Sequence, residues 1–193
     1  MFSSIKSIKK LDKNLIIFLF SLTLISMAAI NISKFIEVYI GDAKNIGNFV
    51  AVTGIVGILT TIIIVPQIIK LKKDINIIIL VTFLSGIVIF IVFRINNVML
   101  SLYTLFMFYV MFKSIYAPLE TSFISSHAGV GEYGKIMGIR QFFFAIGFVI
   151  GPLVGGLLLD INALYVFDLS VVLFLIGAIL ILIVRNNINK VIV

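Results

Sequence analysis

Six long apolar runs are the feature that most limits how this chain can fold. They cover residues 15–39, 47–69, 75–93, 98–123, 136–159 and 163–184, and only short polar segments separate them. A helix needs about 20 apolar residues to cross the roughly 30 Å hydrocarbon core of a bilayer. We therefore predict an all-α fold, a polytopic membrane protein whose six-helix transmembrane bundle has consecutive helices antiparallel.

Composition excludes most other classes of protein. Of the 193 residues, 62% are hydrophobic and only 12% are charged, so the connections leave no room for a soluble domain. The net charge of +7 is read as a sign of membrane topology rather than of nucleic-acid binding. The chain has no Cys and one His, and we expect neither a metal nor a cofactor. No hydrolase or nucleotide-binding motif is present, so we do not expect an enzyme.

The basic residues predict the orientation in the membrane. Two of them, Lys44 and Arg94, fall on one side of the predicted spans. The other side carries Lys6, Lys9, Lys10, Lys13, Lys70, Lys72, Lys73, Lys135, Arg140, Arg185 and Lys190. Because cytoplasmic loops retain Lys and Arg, both termini are predicted to be cytoplasmic in a multi-pass protein of the cell membrane. The predicted organisation is a basic cytoplasmic segment (1–14), the helix bundle (15–184) and a cytoplasmic tail (185–193).

Glycines on the fifth predicted span form the strongest local motif. The pattern is G-x8-G-x3-G-P-x2-G-G, formed by Gly138, Gly147, Gly151, Pro152, Gly155 and Gly156. Glycines four residues apart expose the backbone on one helix face and let another helix approach closely, and a proline removes one backbone donor. The motif predicts helix packing or gating, and by itself it favours packing.

Two charges lie deep in the fourth predicted span. Seven residues separate Lys113 from Glu120, which brings both to nearly the same helix face, about 10 Å apart along the axis. An ionised group inside a bilayer is costly unless it faces a cavity or a partner, so both are candidates for a substrate or proton pathway. Glu120 could also snorkel to the interface. Asn31 and Gln141 are further polar candidates for the same pathway or for bonds between helices.

The glycine–proline pattern resembles the antiporter signature called motif C of the major facilitator superfamily. The resemblance extends over residues 35–54 (FIEVYIGDAKNIGNFVAVTG), 66–74 (PQIIKLKKD) and 134–160 (GKIMGIRQFFFAIGFVIGPLVGGLLLD). Together these segments are similar to the carboxyl-terminal six helices of a drug:proton antiporter. The loop signature of the amino-terminal half, G-x-x-x-D-R-x-G, is absent, as is the signature Arg of that half's fourth helix.

The resemblance implies one six-helix half of a transporter that has twelve helices around a central cavity. It implies proton-coupled efflux of small hydrophobic or amphipathic solutes, with the lipid bilayer, a solute, protons and a second six-helix half or a homodimer as partners. A split or truncated transporter is one expectation. The alternatives left open are a non-transporting membrane subunit and an inactive fragment.

Overall fold

The computed structural model describes residues 12–71, 74–129 and 131–192, without the side chains of 189–192. Within these residues, six helices are long and apolar enough to cross a membrane. We number them α1 (Lys13–Ile40), α2 (Ala43–Ile69), α3 (Asp74–Val92), α4 (Val98–Ser125), α5 (Tyr133–Leu159) and α6 (Ala163–Ile192). The predicted all-α, six-helix membrane fold is confirmed. Most of the predicted basic segment 1–14 lies outside the described residues.

Polar residues at the helix ends explain where the observed boundaries differ from the predicted ones. The segment between residues 40 and 46 was predicted as a connection, but only Gly41 and Asp42 separate α1 from α2. Gly41 has a left-handed φ of 73° that ends α1, and the Asp42 side chain accepts a hydrogen bond from the Asn45 N–H at 3.0 Å. This cap starts α2 four residues earlier than predicted.

Three helices depart from the simple predicted pattern. The residues of α2 from Thr60 to Ile64 form a π-helical turn, in which the Val65 N–H donates to the Thr60 carbonyl, just before Pro66. A proline cannot donate to the preceding turn, which explains a local change in hydrogen bonding there. The helix α4 is interrupted at Thr104, whose φ and ψ are −118° and −80°. The helix α6 continues to Ile192, beyond the predicted span end at residue 184.

The core of the bundle lies along α1, which packs against α5 and α6, while α3 packs against α4 and α6. The most apolar 18-residue window of α1 is 61% buried and that of α6 is 50% buried, but the windows of α2 and α5 are only 17% and 22% buried. The helices α2 and α5 are therefore the most exposed of the six, and we call the surface that they contribute the open side of the bundle.

One end of the bundle is fixed by a contact between α3 and α6. Arg94 and Asp168 form an ion pair at 2.9 Å, and the neighbouring rings of Phe93 and Phe167 stack with their centres 3.5 Å apart. Both charged side chains are more than one-third exposed, so this pair contributes about 0–1 kcal/mol to stability. The apolar stacking beside it holds the same two helices together. This end also carries the connections between α1 and α2 and between α5 and α6.

Candidate functional site

One face of α4 carries the polar groups of the bundle interior. Tyr109, Lys113, Tyr116 and Glu120 follow one another at intervals of four, three and four residues. At 3.6 residues per turn this spacing places all four on one stripe. The structure brings all four to the wall of a single cavity, whereas the sequence predicted only that Lys113 and Glu120 share a helix face.

That cavity, called cavity 1 here, lies among five helices and has a volume of about 110 Å³. Its walls are mostly apolar, and a few polar groups point into it. The lining consists of Leu22, Ile25, Ser26, Ala29, Thr82, Ser85, Tyr109, Lys113, Tyr116, Ala117, Glu120, Arg140, Phe144 and Phe174. An apolar pocket with a few convergent polar groups is the usual form of a small-molecule site.

A second cavity, cavity 2, adjoins the first on the open side and has a volume of about 550 Å³. It is bounded by α1, α2 and α4, and it includes one carboxylate, Glu37. The two cavities share Tyr109, Lys113 and Ala117. Cavity 2 is also lined by Ile32, Ser33, Ile36, Phe49, Val50, Thr53, Gly54, Gly57, Phe106, Val110 and Ser114. Lys113 thus lies at the junction of a small and a large cavity.

The end of cavity 1 nearest the α4–α5 connection is closed by an ion pair. The Arg140 Nε donates to both oxygens of Glu120 at 2.9 and 3.2 Å, and its Nη2 donates to Oε2 at 2.6 Å. The side chain of Glu120 is 1% exposed and that of Arg140 is 21% exposed. Bidentate geometry of this kind fixes both side chains and neutralises the buried carboxylate.

This pair corrects two features of the sequence analysis. Arg140 was counted among the charges outside the membrane, but it lies seven residues inside α5 and turns inward to Glu120. Snorkelling would require Glu120 to reach an aqueous interface, but its carboxylate is buried in the bundle. Arg140 is the charged site residue that sequence reasoning missed. Its position inside an apolar helix was the signal that could have found it.

Lys113 has a different environment. It forms no ion pair with any residue that the structure describes, and its side chain is exposed. The neighbouring tyrosine hydroxyls of Tyr109 and Tyr116 are buried and, within the described part of the chain, lack a hydrogen-bond partner. The lining of cavity 1 therefore includes a lysine without an ion-pair partner in the described chain and two tyrosines with unpartnered hydroxyls.

The glycine stripe of α5 packs directly against α1. A Cβ at Gly147 would collide with the Ser26 hydroxyl and the Thr23 carbonyl, and one at Gly155 would lie 2.8 Å from the Asn31 side-chain oxygen. Gly151 makes a similar approach to α1, at 2.6 Å from Ile30. This close packing fits the packing interpretation of the motif for these three glycines.

The remaining predicted residues lie elsewhere. Asn31 is completely buried against the glycine stripe, and neither its amide nitrogen nor its oxygen has a partner in the described chain. Gln141 is exposed and lines neither cavity. No atom lies within 4 Å of a Cβ built on Gly156, and α5 continues through Pro152. The structure gathers Lys113 and Glu120 at one site, and it places Asn31 and Gln141 outside it.

No group of three or more His, Cys, Asp or Glu residues in the described ranges has the arrangement of a metal site.

Comparison with known families gives the chain its identity. A search of curated proteins finds no match. The model of the Major Facilitator Superfamily matches residues 15–191, which is nearly the whole chain. Together with the six apolar helices, this match shows that the chain belongs to the major facilitator superfamily of membrane transporters.

Proposed function

We propose that the chain is one six-helix half of a proton-coupled antiporter that exports small hydrophobic or amphipathic solutes. The observation that carries the proposal is the position of Lys113, a free cation at the junction of two cavities on the open side of the bundle. Ionisable groups deep inside a membrane protein commonly mark a substrate or proton pathway. The mostly apolar walls suit an apolar solute better than a sugar or an inorganic ion.

The open side of the bundle supports completion by a second six-helix unit. The helices α2 and α5 are the least buried of the six, and they expose large apolar side chains such as Ile62, Val149 and Leu157. Cavity 2 lies on this side. A second unit facing it would enclose a pathway between the halves, as inverted or parallel repeats do in secondary transporters. The second unit is either another copy of this chain or a separately encoded half.

We propose that Lys113 and Glu120 carry the proton pathway. The Glu120–Arg140 pair closes cavity 1 at one end, so protonation of Glu120 would release Arg140 and loosen the contact between α4 and α5. Asn31 and Gln141 are left out of the proposed pathway because neither lines a cavity. The proposed orientation keeps both termini on the cytoplasmic side of the cell membrane, since Lys and Arg concentrate at that end.

Transport by reconstituted protein tests the proposal. Proteoliposomes containing the chain receive either a dansyl-labelled alkylsulfonate or a dansyl-labelled alkyltrimethylammonium probe, whose charges do not change with pH. We expect a pH gradient to drive at least one probe across the membrane, and a proton ionophore to stop it. Lys113→Gln should abolish the movement, whereas Lys34→Gln should not, because Lys34 is exposed and lines neither cavity.

Two results would count against the proposed function. If Lys113→Gln transported as fast as the parent chain, the pathway would not involve Lys113. If neither probe moved in proteoliposomes that contain the folded chain in oligomeric form, a non-transporting membrane subunit would be favoured.

Disulfide cross-linking tests which unit completes the bundle, and it is convenient because the chain has no cysteine of its own. Copies carrying Ile62→Cys on α2 are mixed with copies carrying Val149→Cys on α5, both exposed positions. A homodimer predicts cross-linking of this pair but not of Ile62→Cys with Ile91→Cys, which is exposed on α3. Equal yields from both pairs would argue against a specific dimer and favour a separate partner half.

A further inference from the structure

The charges around cavity 1 do not cancel. Glu120 and Arg140 neutralise each other through a bidentate contact, and Lys113 then remains as the third charged group of the lining. The remaining carboxylate nearby, Glu37, lines cavity 2 and not cavity 1. Cavity 1 therefore has one uncompensated positive charge in mostly apolar surroundings, where a bound anion would be attracted more strongly than in water.

Two tyrosine hydroxyls on the same stripe of α4 as Lys113 add a second, independent observation. Tyr109 lines cavity 1 and is only 3% exposed, and its hydroxyl has no hydrogen-bond partner in the described chain. The hydroxyl of Tyr116 is also buried and unpartnered there. Buried polar atoms are nearly always hydrogen-bonded in native proteins, so two unused donors on the same helix stripe as Lys113 indicate an absent acceptor.

The other hydroxyls of the lining are already used as donors. Thr82 donates to the Ile78 carbonyl at 2.7 Å, and Ser85 donates to the Val81 carbonyl at 2.7 Å. Ser26 donates to the backbone carbonyls of Thr23 and Phe144. The unused hydroxyl donors of the lining are therefore those of Tyr109 and Tyr116, on the stripe of α4 that also holds Lys113. This stripe spans about two helical turns, or about 10 Å along the helix axis, and one anionic group can bind only where the long side chains of these residues converge.

We propose that the transported solute is an amphipathic organic anion whose charged group binds beside Lys113, Tyr109 and Tyr116. Its apolar part contacts the wall of cavity 1 and extends into cavity 2, whose volume of about 550 Å³ is that of a drug-sized pocket. This inference rests on the proposed function, because it names the substrate class of the same site. It predicts that Lys113 recognises charge and that the two tyrosines orient the anionic group.

Equilibrium binding tests the inference separately from transport. The intact chain is placed in nanodiscs of phosphatidylcholine, which carries no net charge to compete for the site. Three dansyl probes of equal chain length are compared: the alkylsulfonate, the alkyltrimethylammonium and the neutral alcohol. We expect the sulfonate to bind at least about tenfold more tightly than either of the others, since hydrogen bonds to charged groups are among the strongest.

Variants then locate the preference. Lys113→Arg keeps the charge and should keep the preference for the sulfonate, whereas Lys113→Gln should remove it. Tyr109→Phe and Tyr116→Phe should each weaken sulfonate binding by about two- to tenfold and leave binding of the alcohol unchanged. Lys34→Gln is the matched control and should bind all three probes as the parent chain does, because Lys34 lines neither cavity.

The outcomes separate the two proposals. The inference is overturned if the trimethylammonium probe or the alcohol binds as tightly as the sulfonate, or if Lys113→Gln keeps the sulfonate preference. Transport of the cation alone in proteoliposomes would also overturn it while leaving the proposed function intact. Binding of the sulfonate without any transport would sustain the anion site and count against the transporter assignment of this chain.

Discussion

Removing either partner of the Glu120–Arg140 pair is expected to destabilise the bundle, but by unequal amounts. Arg140→Met leaves the carboxylate of Glu120, whose side chain is 1% exposed, as an uncompensated buried charge. Breaking a fully buried pair in this way costs roughly 3–5 kcal/mol. Glu120→Gln instead leaves Arg140, which is 21% exposed and can extend toward water, so the expected cost is about 1–3 kcal/mol.

The double variant Glu120→Gln/Arg140→Met leaves no unpaired charge and should lose less stability than the two single changes added together. The expected coupling energy is about 2 kcal/mol, within the range found for contacting residues. The assay is reversible unfolding in mixed micelles with increasing dodecyl sulfate, followed by far-ultraviolet circular dichroism. Equal losses in the two single variants, or strictly additive losses in the double variant, would refute the reasoning from burial and pairing.

Three smaller effects should be seen with the same unfolding assay. Gly147→Ala should destabilise the bundle by about 1–3 kcal/mol because the new Cβ meets α1. Gly156→Ala has open space around it and should change stability by no more than about 1 kcal/mol. Similar losses in the two variants would contradict the packing account. Asp168→Asn should cost at most about 1 kcal/mol, since its pair with Arg94 is exposed, and a larger loss would show that the pair is effectively buried. Asp42→Ala should cost about 1 kcal/mol through the lost cap of α2, and no measurable loss would show that the cap is unimportant.

The sequence predicts the spans well because the bilayer thickness imposes a minimum apolar length on each helix. It also predicts that Lys113 and Glu120 share a face, since helical geometry fixes spacing within one helix. It does not predict that Arg140 reaches Glu120. These two residues lie on different helices, and their pairing depends on how α4 and α5 are rotated about their axes, which apolar content alone does not determine.

The same limit explains the other differences at the site. Gln141 follows Arg140 directly, so once Arg140 faces the bundle, Gln141 is turned about 100° away and becomes exposed. The tyrosines of α4 were not singled out from the sequence because their hydroxyls become notable only when the structure leaves them buried without partners. The observed helix boundaries differ from the predicted ones where a capping residue such as Asp42 starts a helix, because hydrophobicity alone does not indicate capping residues.

Access to the junction of the two cavities from each side of the membrane tests the central claim most directly. Ala117 lines both cavities and is exposed, so Ala117→Cys places one thiol there in a chain that otherwise has none. Oriented, sealed proteoliposomes are treated with a membrane-impermeant maleimide on one side or the other. A transporter that alternates its access predicts labelling from both sides, with the ratio shifting when a pH gradient is imposed. Labelling from one side only, at every pH and with the fold intact, would contradict the account.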